Sequence, residues 1–297
     1  MDESRLPHSL NARLRCLAWL ALLAAGLGEL GRWHWLAELC SHFIPHYAAI
    51  LLLAAVFHRR DWQDALFLLV GMGLAAWSLA PAPDVSSPSA AGPLRLLGYN
   101  LRVDNTAADA DARWLATVDA KVIFVTEASH EWETRLQGLP PGCARYDDSP
   151  FGLALFSRVP LKSCRVLGLG GAAQGYPYIR AELADGRLIY GVHPPPPLGA
   201  NLALARDESL RQLAARIRAE KAPVLVLGDF NSSPFSPRLR HFIEAAGLRR
   251  SSPNGRPTRL PGLLSLDHAL VSARAPVSGV GAYAWRGSDH RPIWIDW

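Results

Sequence analysis

Six apolar runs in this chain end or begin on residues that could do chemistry. LLGYN stops at Asn100, VIFVTE stops at Glu127, and LIYGVH stops at His193 ahead of four prolines. VLVLGDFN delivers Asp229 and Asn231. LDH sets Asp267 and His268 at the start of another run, and GSDHRPI sets Asp289 and His290 just before the last one. Taken singly, Asn, Asp, Gly and Pro beyond a strand are ordinary turn formers. Together, these residue types fit one chemistry. A hard cation such as Mg²⁺ takes oxygen ligands, few of them from the protein, and Asn100, Glu127 and Asp289 suit it. Hydrolysis of a phosphate ester also needs a carboxylate to orient or deprotonate water, and donors for the charge that develops on phosphorus. Asp229 and Asn231 can divide those tasks. His193 and His290 suit contact with, or protonation of, phosphoryl oxygens, and Asp267 suits holding His290 in its working tautomer. No serine nucleophile elbow, P-loop or dinucleotide glycine pattern competes with this reading.

The elements that must position these residues are short. Apolar runs at 94–99, 121–126, 151–157, 178–183, 187–192, 224–228, 266–272 and 292–297 have β-branched or alternating character and are bounded by Gly, Pro or Asp, which predicts strands. ADGR at 184–187 predicts a turn between two of them. Helical spacing interleaves: Leu210, Leu213, Ala214 and Ile217 share a face within 201–221, Trp114, Leu115 and Val118 suggest a second helix, and Leu239 to Ala246, closed by Gly247, a third. Many strands with a few helices predict a layered α/β domain with two packed sheets.

Ahead of this domain the composition changes. Residues 39–58 and 65–83 contain no Asp, Glu, Lys or Arg, and each is near the length that crosses a bilayer core. A third apolar run, 16–28, spans only if extended to about 14–35; a cleaved signal peptide competes for it, given Arg13 and Arg15 before it. The expected organisation is a membrane region over 1–80 with about three transmembrane helices, a Pro/Ser/Ala linker over 81–93, and a folded domain over 94–297. Arg5, Arg13 and Arg15 precede the first span, and Arg59 and Arg60 lie between the second and third. The positive-inside bias therefore predicts a cytoplasmic N-terminus and an extracytoplasmic domain.

Charge supports anionic ligands without requiring nucleic acid. Residues 1–92 hold 6 Lys/Arg against 7 Asp/Glu, and residues 93–297 hold 25 against 19. Cys143 and Cys164 flank an expected hairpin; in an extracytoplasmic domain they can form a disulfide, and two buried thiols are the alternative. Cys16 and Cys40 fall in the apolar segments, and no Cys/His cluster has zinc spacing.

The ordered set YNLR, VTEAS, GLALFSR, GVHPP, LGDFNSSP, SLDHALVS and GSDHRPI resembles the endonuclease/exonuclease/phosphatase superfamily over about 93–297. The resemblance implies a four-layer α/β sandwich, two packed β-sheets flanked by helices, with a divalent metal at the sheet edges. By position, Glu127 matches the family's principal metal-ligating glutamate, with Asn100 and Asp289 nearby. Asp229 and Asn231 match its water-activating and phosphate-contacting pair, Asp267 and His290 its aspartate–histidine pair, and His193 a phosphate-contacting histidine. Two positions and one segment depart from the family pattern: Thr126 replaces a glutamine, Arg259 a tryptophan, and prolines 194–197 a Thr-His-Leu continuation. The expected protein is a multi-pass, Mg²⁺-dependent phosphoester hydrolase of phosphodiesterase or nuclease type, with Mn²⁺ as an alternative metal. Its expected place is a bacterial inner membrane, with the catalytic domain periplasmic and the N-terminal helices in contact with the lipid bilayer. The substrate is left open between nucleic acid and phospholipid. A lipid or small-molecule phosphatase or phosphodiesterase of the same fold and a catalytically silent membrane receptor or scaffold are the rival readings.

Overall fold

The computed structural model describes residues 8–58, 61–80, 94–252, 254–261, 263–273 and 276–297. Helices come first: α1 (His8–Glu29), α2 (Trp35–Ser41), α3 (Ile44–His58) and α4 (Trp62–Leu79). Leu10–Arg32 and Trp62–Leu79 are each long and apolar enough to cross a membrane, whereas Trp35–Ser41 and Ile44–Phe57 qualify only as a pair bent by 57°. The run expected to cross as one helix over 39–58 is therefore broken at His42 and Phe43. Its first part is docked on the domain that follows, as described below, and Pro45 lacks the N–H that a continuing helix would use. Ala18, Ala21, Leu51, Ala54 and Phe67 pack inside this bundle, while Leu20, Leu23, Leu53, Leu69 and Met72 lie on its outside. An apolar outside of this kind suits a hydrocarbon solvent. The expected linker at 81–93 and the Arg59–Arg60 pair lie outside the described residues.

From Leu94 onward the chain builds the sandwich. The elements are β1 (Arg95–Asn100), α5 (Ala108–Thr117), β2 (Val122–Thr126), α6 (His130–Arg135), β3 (Gly142–Arg145), β4 (Leu153–Ser157), β5 (Leu161–Leu167), β6 (Tyr178–Leu183) and β7 (Leu188–Val192). They continue with α7 (Ala200–Ala219), β8 (Val224–Asp229), α8 (Pro237–Ala246), β9 (Leu248–Arg250), β10 (Asp267–Ser272), β11 (Gly279–Ala282) and β12 (Ile293–Asp296). One six-stranded sheet has the order β11-β12-β1-β2-β4-β3, and the other β5-β6-β7-β8-β10-β9. Between them Leu96, Phe124, Leu155, Ile189, Leu225 and Leu227 form the central core. The central strands read as nearly continuous apolar runs because both of their faces are covered. Leu115 of α5 and Trp132 of α6 close the outer face of the first sheet, and Leu213, Ile217 and Phe242 of α7 and α8 close that of the second. Helix, sheet, sheet and helix make the expected four layers.

Local chemistry sets the boundaries of α8. Ser236 accepts from the N–H groups of Arg238 and Leu239, Pro237 opens the helix, and Gly247 ends it at φ 67°. Cys143 on β3 and Cys164 on β5 form a disulfide with a Cα–Cα separation of 5.6 Å. These strands are edges of different sheets, so the bond ties the two sheets together; the cysteines do not flank a hairpin as expected.

The helical bundle and the sandwich share a polar interface. Glu38 of α2 is fully buried against Arg206 of α7, accepting from Nη1 at 2.9 Å and Nη2 at 2.5 Å, and from Ser236 Oγ at 2.5 Å. The His42 ring sits 3.0 Å from Ser233 Oγ and accepts the Ser233 N–H at 3.2 Å through Nδ1. At the end of α4, Trp77 O accepts from Asn254 Nδ2 at 2.6 Å and Ser78 O from Gly255 N at 2.8 Å.

Candidate active site

Sheet register explains why scattered residues meet. Parallel pairing of β1 with β2 sets Asn100 opposite Thr126, which places Asn100 beside Glu127. Parallel pairing of β7 with β8 sets Val192 opposite Gly228, so His193 and Asp229 leave their strands side by side. Antiparallel pairing of β10 with β8 puts Asp267 directly opposite Asp229. His290 precedes β12, which pairs with β1, and it bridges to Arg259. One end of each sheet thus contributes to one cup.

The backbone at the cup is specialised. Gly228 has φ 149°, and a Cβ there would lie 2.0 Å from the Val192 carbonyl oxygen, so only glycine lets β7 and β8 approach this closely. Glu127 and Asn231 both adopt left-handed conformations, at φ 56° and 49°. Asn tolerates this region; for Glu it costs roughly 1–2 kcal/mol. The turn aims Glu127 back at the cup, where Oε1 accepts from Asn100 Nδ2 at 2.8 Å and Oε2 from Val103 N at 3.1 Å.

Asp229 is the hub. It is 2% exposed; its Oδ1 accepts the Asn231 N–H at 2.7 Å and its Oδ2 accepts from Asn100 Nδ2 at 3.0 Å. His193 Nε2 and His290 Nε2 stand 3.6 and 3.7 Å from Oδ2. Burial pushes the Asp229 carboxyl up, but the His290 and His193 imidazoles together with its N–H donors hold it below the usual carboxylate range. Asp267 Oδ2 lies 2.8 Å from His290 Nδ1. Against its own burial, His290 is raised to about 9 by the Asp267 and Asp229 carboxylates. Burial and the Asp229 charge push Asp267 up, so the pair shares a proton that is held through neutral pH. Asn231 Nδ2 donates to Pro194 O at 3.0 Å and lies 3.3 Å from His193 Nε2.

The structure brings all eight expected residues to this region, with differences in role. Asp229, Asn231, His193, His290, Glu127 and Asp289 line one cleft of about 820 Å³; Asp267 stands behind His290, and Asn100 behind Glu127 and Asp229. Asn100 turns its carbonyl to the Arg102 N–H at 3.0 Å and presents N–H groups to the Glu127 and Asp229 carboxylates, an arrangement that orients them. Strand alternation sends His268 to the other face, where its Nε2 lies 2.8 Å from Ser232 O and burial lowers it to about 4.

The cleft lining offers the carboxylates of Glu127 and Asp289 and no thiol, which fits a hard divalent cation. Donor atoms of Asp229, Asp267 and His290 also lie within 4.8 Å of one another. Within that trio, His290 and Asp267 are already in contact at 2.8 Å.

Some working residues carry no signal of their own in the sequence. Thr258 Oγ1 accepts the Leu266 and Asp267 N–H groups at 3.0 and 3.1 Å and so fixes the start of β10. Arg259 Nη2 lies 3.5 Å from Asp289. Leu39, His42 and Phe43, from the helical region, form part of the cleft wall.

This fold and this cup define a class of protein. Residues 97–290 match the Endonuclease/Exonuclease/phosphatase family, and the chain belongs to it. It is therefore a metal-dependent phosphoester hydrolase by family. No curated protein matches the chain. Among solved structures, TDP2 from D. rerio, complexed with single strand DNA product, is similar with a TM-score of 0.55 at 15% identity, covering 69% of this chain and 98% of that one. The 3′ phosphatase NExo from Neisseria, bound to a product DNA hairpin, gives 0.54 at 15% identity over 68% and 98%. Sphingomyelinase C from Streptomyces griseocarneus gives 0.51 at 15% identity over 69% and 99%. At these identities the likeness is one of fold.

Proposed function

We propose that the chain is a membrane-anchored phosphodiesterase in which water attacks phosphorus in line with the leaving oxygen. The observation that carries this reading is Asp229, buried but held ionised, between two imidazoles, one of them backed by Asp267. Asp229 accepts the proton of the attacking water. Asn231 and His193 hold non-bridging oxygens, and the His290 Nε2–H, charged through its contact with Asp267, offsets the negative charge growing on phosphorus. A divalent cation held by Glu127 and Asp289 would supply Lewis-acid polarisation of a phosphoryl oxygen. Asn100 keeps the Glu127 and Asp229 carboxylates at their separation.

The anchor is the bundle of α1, α3 and α4. Two readings support an extracytoplasmic catalytic domain, with the N-terminus cytoplasmic: the placement of basic residues, and the Cys143–Cys164 disulfide, since such bonds persist in oxidising compartments.

Turnover of bis(4-nitrophenyl) phosphate by the full chain in Mg²⁺ or Mn²⁺ tests the metal. Excess chelator is expected to lower it by about 10²-fold or more, equivalent to the several kcal/mol of charge stabilisation a bound cation supplies. Full turnover in chelator contradicts the assignment.

A further inference from the structure

The cleft has two chemically different halves. One is the polar cup. The other is apolar and is built by two parts of the chain that lie far apart in sequence. Leu39, His42 and Phe43 come from the break between α2 and α3; Pro197, Leu198 and Leu202 come from the segment after His193. Phe43 is 37% exposed and Leu198 69% exposed, so this half offers apolar surface beside the polar cup. The break that supplies Phe43 lies directly before α3, which packs against α1 and α4, the two helices long and apolar enough for a bilayer.

Charge argues against a polyanion in the same cleft. Its lining carries Asp104, Glu127, Asp229 and Asp289 against two arginines. Both arginines are engaged: Arg102 with Asp104 at 2.5 Å and Arg259 with Asp289 at 3.5 Å. A nucleic-acid strand needs a track of cations beyond the scissile phosphate, and the cleft lining does not provide one. A substrate with one phosphate and an apolar remainder matches both halves.

From these features, and resting on the phosphodiesterase reading above, we propose that the substrate is a membrane amphiphile. Its phosphoester occupies the Asp229–His290 cup, while its hydrocarbon chain lies in the trough between Phe43 and Leu198 and reaches the cup from the bilayer side.

The test uses the full chain in lipid nanodiscs with Mg²⁺ and a series of alkyl 4-nitrophenyl phosphates from methyl to octyl. In each, water oxygen bonds to phosphorus, the P–O bond to 4-nitrophenolate breaks, and the water proton passes to Asp229. For the wild type, kcat/KM is expected to rise about two- to fourfold per methylene until the trough is filled, in keeping with the free energy of burying each CH₂. Leu198→Ser, at an exposed loop position, should flatten that slope, as should Phe43→Ser. Partition of the probes into the nanodisc is common to all variants, so the difference in slope reports the trough alone. Equal slopes in wild type and both variants, with the methyl ester still hydrolysed, overturn the amphiphile proposal and leave the phosphodiesterase reading standing. So does a single-stranded oligonucleotide turned over faster than the octyl ester. If no ester is hydrolysed, methyl included, both readings fall.

Discussion

Replacing Asp229 with Ala is expected to lower kcat for phosphodiester hydrolysis by about 10²–10⁴-fold, the usual contribution of a positioned general base. KM should change far less, because Asn231, His193 and His290 remain to hold the phosphate. Asp229→Asn is the sharper variant. Its side-chain oxygen can still accept the Asn231 N–H now made at 2.7 Å, so the turn after β8 survives while the proton acceptor is gone. The same substitution removes one of the carboxylates that raise His290 to about 9, so the imidazole should titrate at lower pH than in the wild type. Steady-state kinetics on a chromogenic diester, with thermal unfolding as a control for folding, check both variants. An Asp229→Asn enzyme within tenfold of wild-type kcat would assign the proton to another group.

Replacing Arg206 with Ala is expected to destabilise the protein by about 3–5 kcal/mol, the cost of leaving one member of a buried ion pair without the other. Both side chains are fully buried, and the loss strands Glu38 with Ser236 Oγ as its remaining donor. The effect should also reach the active site. Glu38 holds α2 on α7, and the residues that follow, Leu39, His42 and Phe43, wall the cleft. Thermal unfolding of the purified full chain in detergent measures the change. A double variant, E38Q/R206M, should recover much of the stability, because it leaves no unpaired charge. A single variant within about 0.5 kcal/mol of wild type, the range of ordinary surface substitutions, would show that the interface is not held by this pair.

Sequence is most informative here where one local signal suffices. The eight apolar runs bounded by Gly, Pro or Asp correspond to β1, β2, β4, β6, β7, β8, β10 and β12. The face of Leu210, Leu213, Ala214 and Ile217 is the buried side of α7. Strands β3, β5, β9 and β11 are not legible in this way. GCAR and LKSCRVL alternate weakly and are largely exposed or half-buried, so their extended form depends on the strand each pairs with. The site residues can be named because polar side chains stand at strand ends, but their meeting depends on register. That Asp267 lies opposite Asp229 follows from pairing between strands distant in the chain, which no local pattern encodes. The break between α2 and α3 escapes the sequence for a similar reason. Hydropathy reads residues 39–58 as one uninterrupted run, and the docking of Glu38 on Arg206, 168 positions away, is invisible to it. Glu38 is the available signal, an acidic residue at the edge of an apolar run that needs a buried partner.

The central claim is that this cup delivers water to phosphorus, and hydrolysis in ¹⁸O-labelled water tests it most directly. With a dialkyl phosphodiester, Mg²⁺ and the full chain, the label is expected in the phosphoryl product and not in the released alcohol. The Asp229→Asn variant should form that labelled product about 10²–10⁴-fold more slowly. Label recovered in the alcohol, or equal rates of labelled product from wild type and variant, would contradict the account.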